Sequence, residues 1–561
     1  MELGQKISFF ISTPSRHPAN QNGYDSIKHV YKKDYVNPKF YELILFVTFR
    51  GFGETSSGKP IIPPNILSIE WSISLGSTFR KSFTRKRSPG MVLTKARVPA
   101  PGNYQINIKA NFTDNSSVSQ SLNYRIRDFL VIGVGDSFSS GQGNPDVPAV
   151  PSTDQKLICR ATSILLAMTR LEAMVKKFAE ELADQTKEKV SKYLPFAGKI
   201  LVAEINQVQN AVGFVKSNIS DLKDWVVQIG RKVAAKLVEG VEELFSKIGI
   251  GDGGDSAETD PHPAAWQEPF AYRSYRSGQS LGACQAENQN SRGADRITFL
   301  PFGRTGSEID SGLLGPRTVG QLLTDRNDSI DVWINNMGQI AEAKKTVGMR
   351  HIDALIITIG VNDLGFSTLV TNSILKASGE KRKNRIRGAR NKVANIFPAQ
   401  LDELKKVIES ELRPGKVFIT EYPVGIFQEI ADGAKPCGIL GSTVPNLATM
   451  EGFNLDQSDA QDLGEVGQEL NNKIREKAQE FGWVLITGIA AGFKSHGYCA
   501  RKTYFVSAEE SCLNQGDFEG MLHPNARGHE LTRDCIAEAL RTELFTQKES
   551  WLEPVLHLMM R

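Results

Sequence analysis

The sequence lacks several patterns that would point to particular classes of protein. It has no CxxC pair among its six cysteines, which argues against a zinc site. It has no apolar run near the roughly 20 residues that a membrane-spanning helix needs. It has no basic run interleaved with aromatics, and its 67 basic and 63 acidic side chains nearly balance. We therefore expect a globular chain without a metal site, a transmembrane segment or a nucleic-acid partner.

The cysteines and the N-terminal residues bear on the compartment. An even number of cysteines at scattered positions fits either three disulfides or six thiols in the core. Cys499 and Cys512 flank a short loop-like stretch, and Cys159 and Cys284 flank a long insertion, so each pair is a candidate disulfide. The first residues lack the apolar stretch of a signal peptide. The cysteine count favours an oxidising compartment, and a cytoplasmic location stays open. The six cysteines are Cys159, Cys284, Cys437, Cys499, Cys512 and Cys535.

Residues 1–127 are predicted to form a β-rich domain. The chain of 561 residues is long enough for two or three domains. In this first part, short apolar or alternating runs are separated by Gly, Pro, Ser and Asn, as between the strands of an immunoglobulin-like β-sandwich. The runs are Phe40–Arg50, Ile66–Leu75, Met91–Val98 and Tyr104–Asn111.

From Asp128 onward, continuous apolar runs alternate with helical stretches such as Gln400–Leu412 and Gly467–Phe481. Continuous apolar runs are typical of strands buried on both faces of a parallel sheet. The alternation therefore predicts an α/β domain with a doubly wound, mostly parallel sheet, built from residues 128–159 and 261–545. Residues 546–561 are left as a C-terminal tail. The apolar runs are Phe129–Val134, Ala354–Ile359, Lys416–Thr420 and Trp483–Thr487.

Residues 160–260 interrupt this pattern. Apolar residues recur there at helical spacing, with Lys and Glu on the other face, and a Gly- and Asp-rich linker follows. We expect a helical insertion that packs beside the sheet. A lid over an acyl pocket and an interfacial contact with a membrane or a partner are the alternatives.

Four short motifs carry the groups that an ester hydrolase needs, namely a nucleophile, a base and donors for an oxyanion. Gly135-Asp136-Ser137 directly follows a predicted buried strand, which would place Ser137 in the crevice at the carboxyl ends of the strands. Gly360-Val361-Asn362-Asp363 follows another such strand. The two remaining motifs are Gly303–Ile309 and His523–His529.

Taken in this order, the motifs resemble the signature blocks of the SGNH (GDSL-like) hydrolases, in the form seen in extracellular bacterial lipases and esterases. The resemblance implies a flavodoxin-like α/β fold, an extracellular or periplasmic location, and ester hydrolysis through an acyl-enzyme without a cofactor. In the roles that it implies, Ser137 is the nucleophile and His523 is the base. The N–H groups of Ser137 and Gly306 and the Asn362 amide would form the oxyanion hole.

One position departs from the family pattern. The acid that orients the catalytic histidine usually lies three residues before it, and here that position is Gly520. Glu519, Asp517 and a backbone carbonyl are nearly equal candidates for orienting His523. We take Glu519 first and Asp517 as its alternative.

The sequence also contains a rival nucleophile, and it leaves the substrate open. Gly278–Gly282 matches the G-x-S-x-G elbow of α/β-hydrolases, but its flanking residues predict neither the strand before Ser280 nor the helix after it. The resemblance does not choose between a small ester, a lipid and an acylated glycan as substrate. A carbohydrate (acetyl) esterase is therefore the alternative to a lipase or esterase. A non-catalytic glycan- or surface-binding protein is a further one.

Overall fold

The computed structural model of the protein describes residues 7–17, 23–49, 62–88, 93–152, 156, 159, 261–289, 295–316, 337–365, 379–434, 457–517 and 519–545. The predicted helical insertion 160–260 and the tail 546–561 lie outside the described residues. Among the helices of the described ranges, none has the length and the apolar composition to cross a membrane.

Strands dominate up to residue 135, and strands alternate with helices after it. The strands are β1 (Ile7–Ser12), β2 (Tyr24–Asp25), β3 (Val30–Tyr31), β4 (Tyr41–Phe49), β5 (Ile66–Leu75), β6 (Phe79–Lys86), β7 (Leu93–Val98), β8 (Gly102–Phe112), β9 (Ser117–Gly135), β10 (Asp295–Pro301), β11 (Ala354–Thr358), β12 (Lys416–Thr420) and β13 (Val484–Ile486). The helices are α1 (Lys33–Val36), α2 (Ser137–Ser140), α3 (Gly278–Asn288), α4 (Gln339–Val347), α5 (Gly379–Asn395), α6 (Phe397–Glu411), α7 (Gln428–Ala431), α8 (Gln457–Phe481), α9 (Ile489–Phe493), α10 (Ala508–Gln515) and α11 (Ala526–Leu540).

The N-terminal strands form antiparallel sheets around one apolar cluster. One sheet has the order β1-β4-β7, and the strands β6, β5, β8 and the first part of β9 pair antiparallel beside it. Leu43, Trp71 and Ile106 belong to the shared cluster. Burial alternates strictly along β4, because every second side chain of a strand points to the same face. The region is β-rich, and its immunoglobulin-like class stays a prediction.

The central sheet of the rest of the chain is parallel. β10 and β11 pair with β9 on its two sides, β12 pairs with β11, and β13 pairs with β12. Numbered along the chain from β9, this strand order is 2-1-3-4-5, and in such sheets the ligand crevice lies at the carboxyl ends of the first and third strands. Every residue of β10 and β11 is buried. The prediction of an α/β fold with a mostly parallel sheet is therefore confirmed.

Strand β9 belongs to both parts of the chain. It runs for 19 residues from Ser117 to Gly135. Its first part pairs antiparallel with β8 as far as Ile126, and its second part pairs in parallel with β10 from Arg127 onward. The expected domain boundary after residue 127 thus falls inside one continuous strand. The division of the chain at that residue stays a proposal.

A buried carboxylate at this junction connects several segments. The Asp128 side chain is fully buried, with an oxygen 3.2 Å from Arg16 Nε and 3.1 Å from Arg350 Nη2. The hydroxyl groups of Tyr41 and Thr298 each donate to it at 2.8 Å. A buried charge is tolerated when it is paired and hydrogen-bonded. Asp128 therefore holds the N-terminal segment against the start of the parallel sheet.

The disulfide pairing differs from both sequence-based alternatives. Cys159 is bonded to Cys512, with a Cα–Cα distance of 5.6 Å, and Cys499 is disulfide-bonded as well. Cys284 and Cys535 are free thiols. The predicted pairs Cys159–Cys284 and Cys499–Cys512 are therefore wrong. Both predicted totals, three disulfides or six free thiols, are wrong as well. Proximity in the sequence did not predict the pairing, because the fold brings α10 beside the segment that leads to Cys159. There Ala149 N donates to the Asn514 carbonyl at 2.8 Å.

Candidate active site

Ser137 stands at the carboxyl end of β9, where it begins the short helix α2. Asp136 caps this helix, because its Oδ1 accepts a hydrogen bond from Phe138 N at 2.9 Å. At Gly135, with φ of 136°, a Cβ would lie 1.9 Å from the Thr358 carbonyl oxygen of β11. Only glycine therefore allows β9 to turn this close to its neighbour. The turn leaves Ser137 largely buried, with 6% of its surface exposed.

The loops that carry Gly306 and Asn362 are joined to each other. Asn362 follows β11, and its Nδ2 donates to the Ser307 carbonyl at 3.0 Å. Gly306 has φ of 66°, a left-handed conformation that glycine adopts without strain. The bond to Ser307 uses one of the two N–H groups of the amide. Strands β9 and β11 are neighbours, so Ser137 and Asn362 follow adjacent strand ends.

His523 lies beside the segment that follows the nucleophile candidate. The centre of its ring is 5.8 Å from that of Phe138, the residue directly after Ser137. Its Nδ1 lies 3.2 Å from the Met521 carbonyl oxygen. Burial lowers the pKa of His523 to about 4, although backbone carbonyls of its loop act in the opposite direction. The imidazole is therefore neutral at neutral pH and able to accept a proton.

The carboxylate of Asp517 contacts other groups, and Glu519 is bound through its backbone. Asp517 accepts from Gln515 Nε2 at 2.7 Å and from the Tyr272 hydroxyl at 2.7 Å. Glu519 is exposed at its side chain, and its backbone carbonyl accepts from Gln142 Nε2 at 2.6 Å. Of the three candidates left open by the sequence, a backbone carbonyl is the one that contacts the ring, through Met521.

The position of the usual family acid has no room for a side chain. A Cβ on Gly520 would lie 2.7 Å from Gln515 Oε1 and 2.8 Å from Ser511 Oγ. Ser511 Oγ accepts from Gly520 N at 2.9 Å and donates to the Asp517 carbonyl at 2.7 Å. These two hydrogen bonds of Ser511 hold the loop that carries His523.

Two buried carboxyl groups support the loops of the site. Burial raises the pKa of Asp136 to about 7 and that of Asp363 to about 8. The Tyr422 hydroxyl donates to Asp136, and Asp363 Oδ1 accepts from Ile309 N at 2.9 Å. Both carboxyls thus bind neighbouring loops, and the contact of Asp363 with Ile309 is a structural one.

Buried glutamines around the Ser137 turn were not predicted from the sequence. Gln339 donates from Nε2 to the Gly135 carbonyl at 2.8 Å and to Ser307 Oγ at 3.0 Å, and its Oε1 accepts from Gly135 N at 2.8 Å. Gln279 donates to the Val134 carbonyl at 3.3 Å. Both glutamines lie in the first turn of a helix. Many residues occupy such positions, so the sequence does not indicate that these two contact the turn. Their amides fix the backbone on which the turn is built.

The rival serine is enclosed. Ser280 lies in the first turn of α3, is 0% exposed, and has its Oγ 3.1 Å from His17 Nε2. The expectation that no helix follows the motif was wrong, because the Ser277 side chain caps α3 by accepting from Ser280 N. Ser280 therefore helps to attach the N-terminal segment to α3.

Comparisons with known proteins identify solved structures but no family. No family model matches the chain, and no curated protein does. The chain is similar to an extracellular lipase from Streptomyces rimosus, with 20% identity and a TM-score of 0.33, over 48% of this chain and 89% of that one. It is similar to phospholipase A1 from Streptomyces albidoflavus, with 18% identity and a TM-score of 0.32, over 49% and 89%. A family two carbohydrate esterase from Clostridium thermocellum aligns at 7% identity and a TM-score of 0.26, over 96% and 99%. Likenesses at this level do not establish an activity.

Proposed function

We propose that the protein is a serine ester hydrolase in which Ser137 is the nucleophile and His523 the general base. The observation that carries the proposal is the position of His523. A neutral imidazole from the far end of the chain lies against Phe138, the residue after Ser137, with its Nδ1 directed at a carbonyl. This arrangement leaves Nε2 as the proton acceptor.

The reaction would proceed through an acyl-enzyme. His523 takes the proton of the Ser137 hydroxyl as its oxygen attacks the ester carbonyl carbon, and it returns that proton to the leaving alcohol. Water then attacks the acyl group in the same way, which releases the acid and restores the serine. The N–H groups of Ser137 and Gly306 and the amide of Asn362 would donate to the oxyanion. Each such donor typically contributes about 2.7–4 kcal/mol to the stabilisation of the transition state.

In this proposal the carbonyl of Met521 orients His523, in place of Glu519 or Asp517. Leu522, between the two residues, has φ of 67°, which is unusual for a side chain of this size. Leu522 N donates to the Val506 carbonyl at 3.0 Å, and Val506 N donates to the His523 carbonyl at 2.8 Å. These two bonds hold the turn that brings the Met521 carbonyl back onto the ring.

We propose only a class of substrate, namely a carboxylic ester. The candidates within this class are a small ester, a lipid and an acylated glycan. The solved structures named above are an extracellular lipase, a phospholipase A1 and a carbohydrate esterase, so both lipid esters and carbohydrate esters belong in the test. A series of p-nitrophenyl esters of increasing chain length, assayed beside acetylated sugars, separates these substrates. An extracellular or periplasmic location is proposed with this function and fits the Cys159–Cys512 disulfide.

The test compares the two serines. Ser137→Ala is expected to abolish the hydrolysis of p-nitrophenyl acetate, while Ser280→Ala retains it if the fold tolerates the change. A labelled fluorophosphonate should react at Ser137 in the wild-type protein, and peptide mapping identifies the modified residue. Full activity of Ser137→Ala would exclude the proposed nucleophile. Absence of any labelling would favour a non-catalytic binding protein.

A further inference from the structure

A buried glutamine joins the three segments of the proposed site. Gln142 comes directly after Gly141, the residue that ends the short helix begun by Ser137. It is 1% exposed. Its Nε2 donates to the Glu519 carbonyl at 2.6 Å, in the loop that carries His523. Its Oε1 accepts from the hydroxyl of Thr305, the residue before Gly306. One side chain thus contacts the loop of the base and the loop of an oxyanion donor.

The orientation of this amide follows from its partners. A carbonyl oxygen can only accept, so the Nε2 of Gln142 must face Glu519, and its Oε1 must then face the Thr305 hydroxyl. The backbone N–H of Gln142 donates to the Ser137 carbonyl at 3.2 Å, which ties the same residue to the nucleophile turn. The side chain of Gln142 thus makes two of the three contacts, and its backbone N–H makes the third.

The contact with Glu519 also reaches the imidazole. The Met521 carbonyl oxygen lies 3.2 Å from His523 Nδ1, and the carbonyls of Gly520 and Glu519 add to it in raising the pKa of the ring against the effect of burial. Gln142 donates to one of these carbonyls, that of Glu519. A change in this amide therefore alters both the position of the loop and the electrostatic environment of the base. His523 also interacts with His529 on α11, whose pKa burial lowers to about 4.

We infer that Gln142 is a positioning residue that couples the His523 loop to the Thr305–Gly306 loop across the Ser137 turn. The inference rests on the proposed function and adds to it a residue to which the sequence motifs assign no role. The coupling is needed because the three loops come from distant parts of the chain. An error of about 1 Å in such a site typically costs as much as 100-fold in rate.

Three variants separate the two arms of Gln142. Gln142→Leu removes both side-chain contacts, and Thr305→Val removes only the contact on the oxyanion side. Gln142→Glu keeps an acceptor for the Thr305 hydroxyl but places a carboxylate against the Glu519 carbonyl. Gln468→Glu, at an exposed position of α8, is the matched control for the added charge.

The experiment measures kcat and KM on p-nitrophenyl acetate against pH. Gln142→Leu is expected to lower kcat about tenfold or more with little change in KM. Thr305→Val should lower kcat less, and the double variant should match Gln142→Leu, because Thr305 acts through Gln142. Gln142→Glu should shift the acidic limb of kcat/KM upward by about one unit or more, because a nearby carboxylate favours protonated His523. Gln468→Glu should match the wild type.

An unchanged kcat in folded Gln142→Leu, or independent effects of the two substitutions in the double variant, would overturn the inference. If Gln142→Leu does not fold, the pH profile of Gln142→Glu decides, and an unshifted acidic limb counts against the inference. The rate of fluorophosphonate labelling at Ser137 keeps the two proposals apart. A wild-type protein that is not labelled contradicts the proposed function, whereas equal labelling of wild type and Gln142→Leu contradicts only the role of Gln142.

Discussion

The Nδ1 atom of His523 lies 3.2 Å from the carbonyl oxygen of Met521, two residues earlier in the same loop. Because a carbonyl oxygen only accepts, this contact places the ring hydrogen on Nδ1 and a lone pair on Nε2. A peptide dipole here contacts the nitrogen that a carboxylate contacts in a Ser-His-Asp triad.

Supplying the acid that the sequence lacks is expected to harm the protein. Gly520→Asp would place its Cβ against Gln515 and Ser511 and break hydrogen bonds that hold the His523 loop. We expect a loss of about 1–3 kcal/mol in unfolding free energy and a lower kcat/KM. Urea unfolding and ester hydrolysis measure the two effects. Gly388→Asp is the control, since a Cβ there meets open space. A rise in kcat/KM would show that His523 needs a carboxylate.

The activity should persist to low pH. Burial lowers the pKa of His523 to about 4, so the ring stays neutral at pH 5 and able to take up the proton of Ser137, as the proposed mechanism requires. Below pH 4 the ring is protonated, and kcat/KM should fall about tenfold per pH unit. The measurement is kcat/KM on p-nitrophenyl acetate from pH 3.5 to 8, with tryptophan fluorescence at each pH to confirm that the protein is folded. A limb near the ordinary histidine value of 6.5 would contradict the burial of this ring.

Asp128 should be among the side chains whose loss is most destabilising. Asp128→Ala leaves the buried Arg16 and the partly buried Arg350 without their shared carboxylate, which typically costs about 3–5 kcal/mol. The matched control is Asp34→Ala, whose exposed pair with Lys39 is worth at most about 1 kcal/mol. Both values come from urea unfolding at neutral pH. Similar losses in the two variants would mean that the buried ion pairs contribute no more than a surface pair does.

The Cys159–Cys512 disulfide should stabilise the site as well as the fold. Replacing both cysteines by serine is expected to lower the unfolding free energy by about 2–4 kcal/mol. It should also lower kcat, because Cys512 lies on α10 with Ser511 and Gln515, whose side chains support the His523 loop. Cys284→Ser, at a free thiol, should stay within about 0.5 kcal/mol of wild type. Dithiothreitol should destabilise the wild type at least as much as the double substitution does, because it also reduces the disulfide of Cys499. Resistance of the wild-type stability to complete reduction would refute the prediction.

Those parts of the fold that depend on local pattern were predictable from the sequence. Ile66–Leu75 and Lys416–Thr420 were predicted with the bounds that β5 and β12 have. Strand β10 was missed because Asp295 and Arg296 begin it and a proline ends it, so that its apolar run is short. Strand β6 was missed because its exposed side chains are mostly basic, which is common at the edge of a sheet.

The candidate site, too, could be predicted from the sequence only in part. The placement of Ser137 and Asn362 directly after buried strands could be predicted, since parallel strands end at one edge of their sheet. The contact of Met521 with His523, the partner of Cys159 and the contacts of Gln142 and Gln339 could not. Each depends on how distant loops pack in space, and none leaves a periodic or spaced signature in the sequence.

The continuity of β9 also limits how such a chain could be assembled from parts. A recombination event at residues 127 and 128 would cut a strand whose backbone is paired on both sides of the cut. It would also separate Arg16 from the carboxylate that it neutralises. Exchange of the N-terminal portion for another module would require a crossover before Ser117, together with a new partner for Asp128. The two portions should therefore be inherited as one unit.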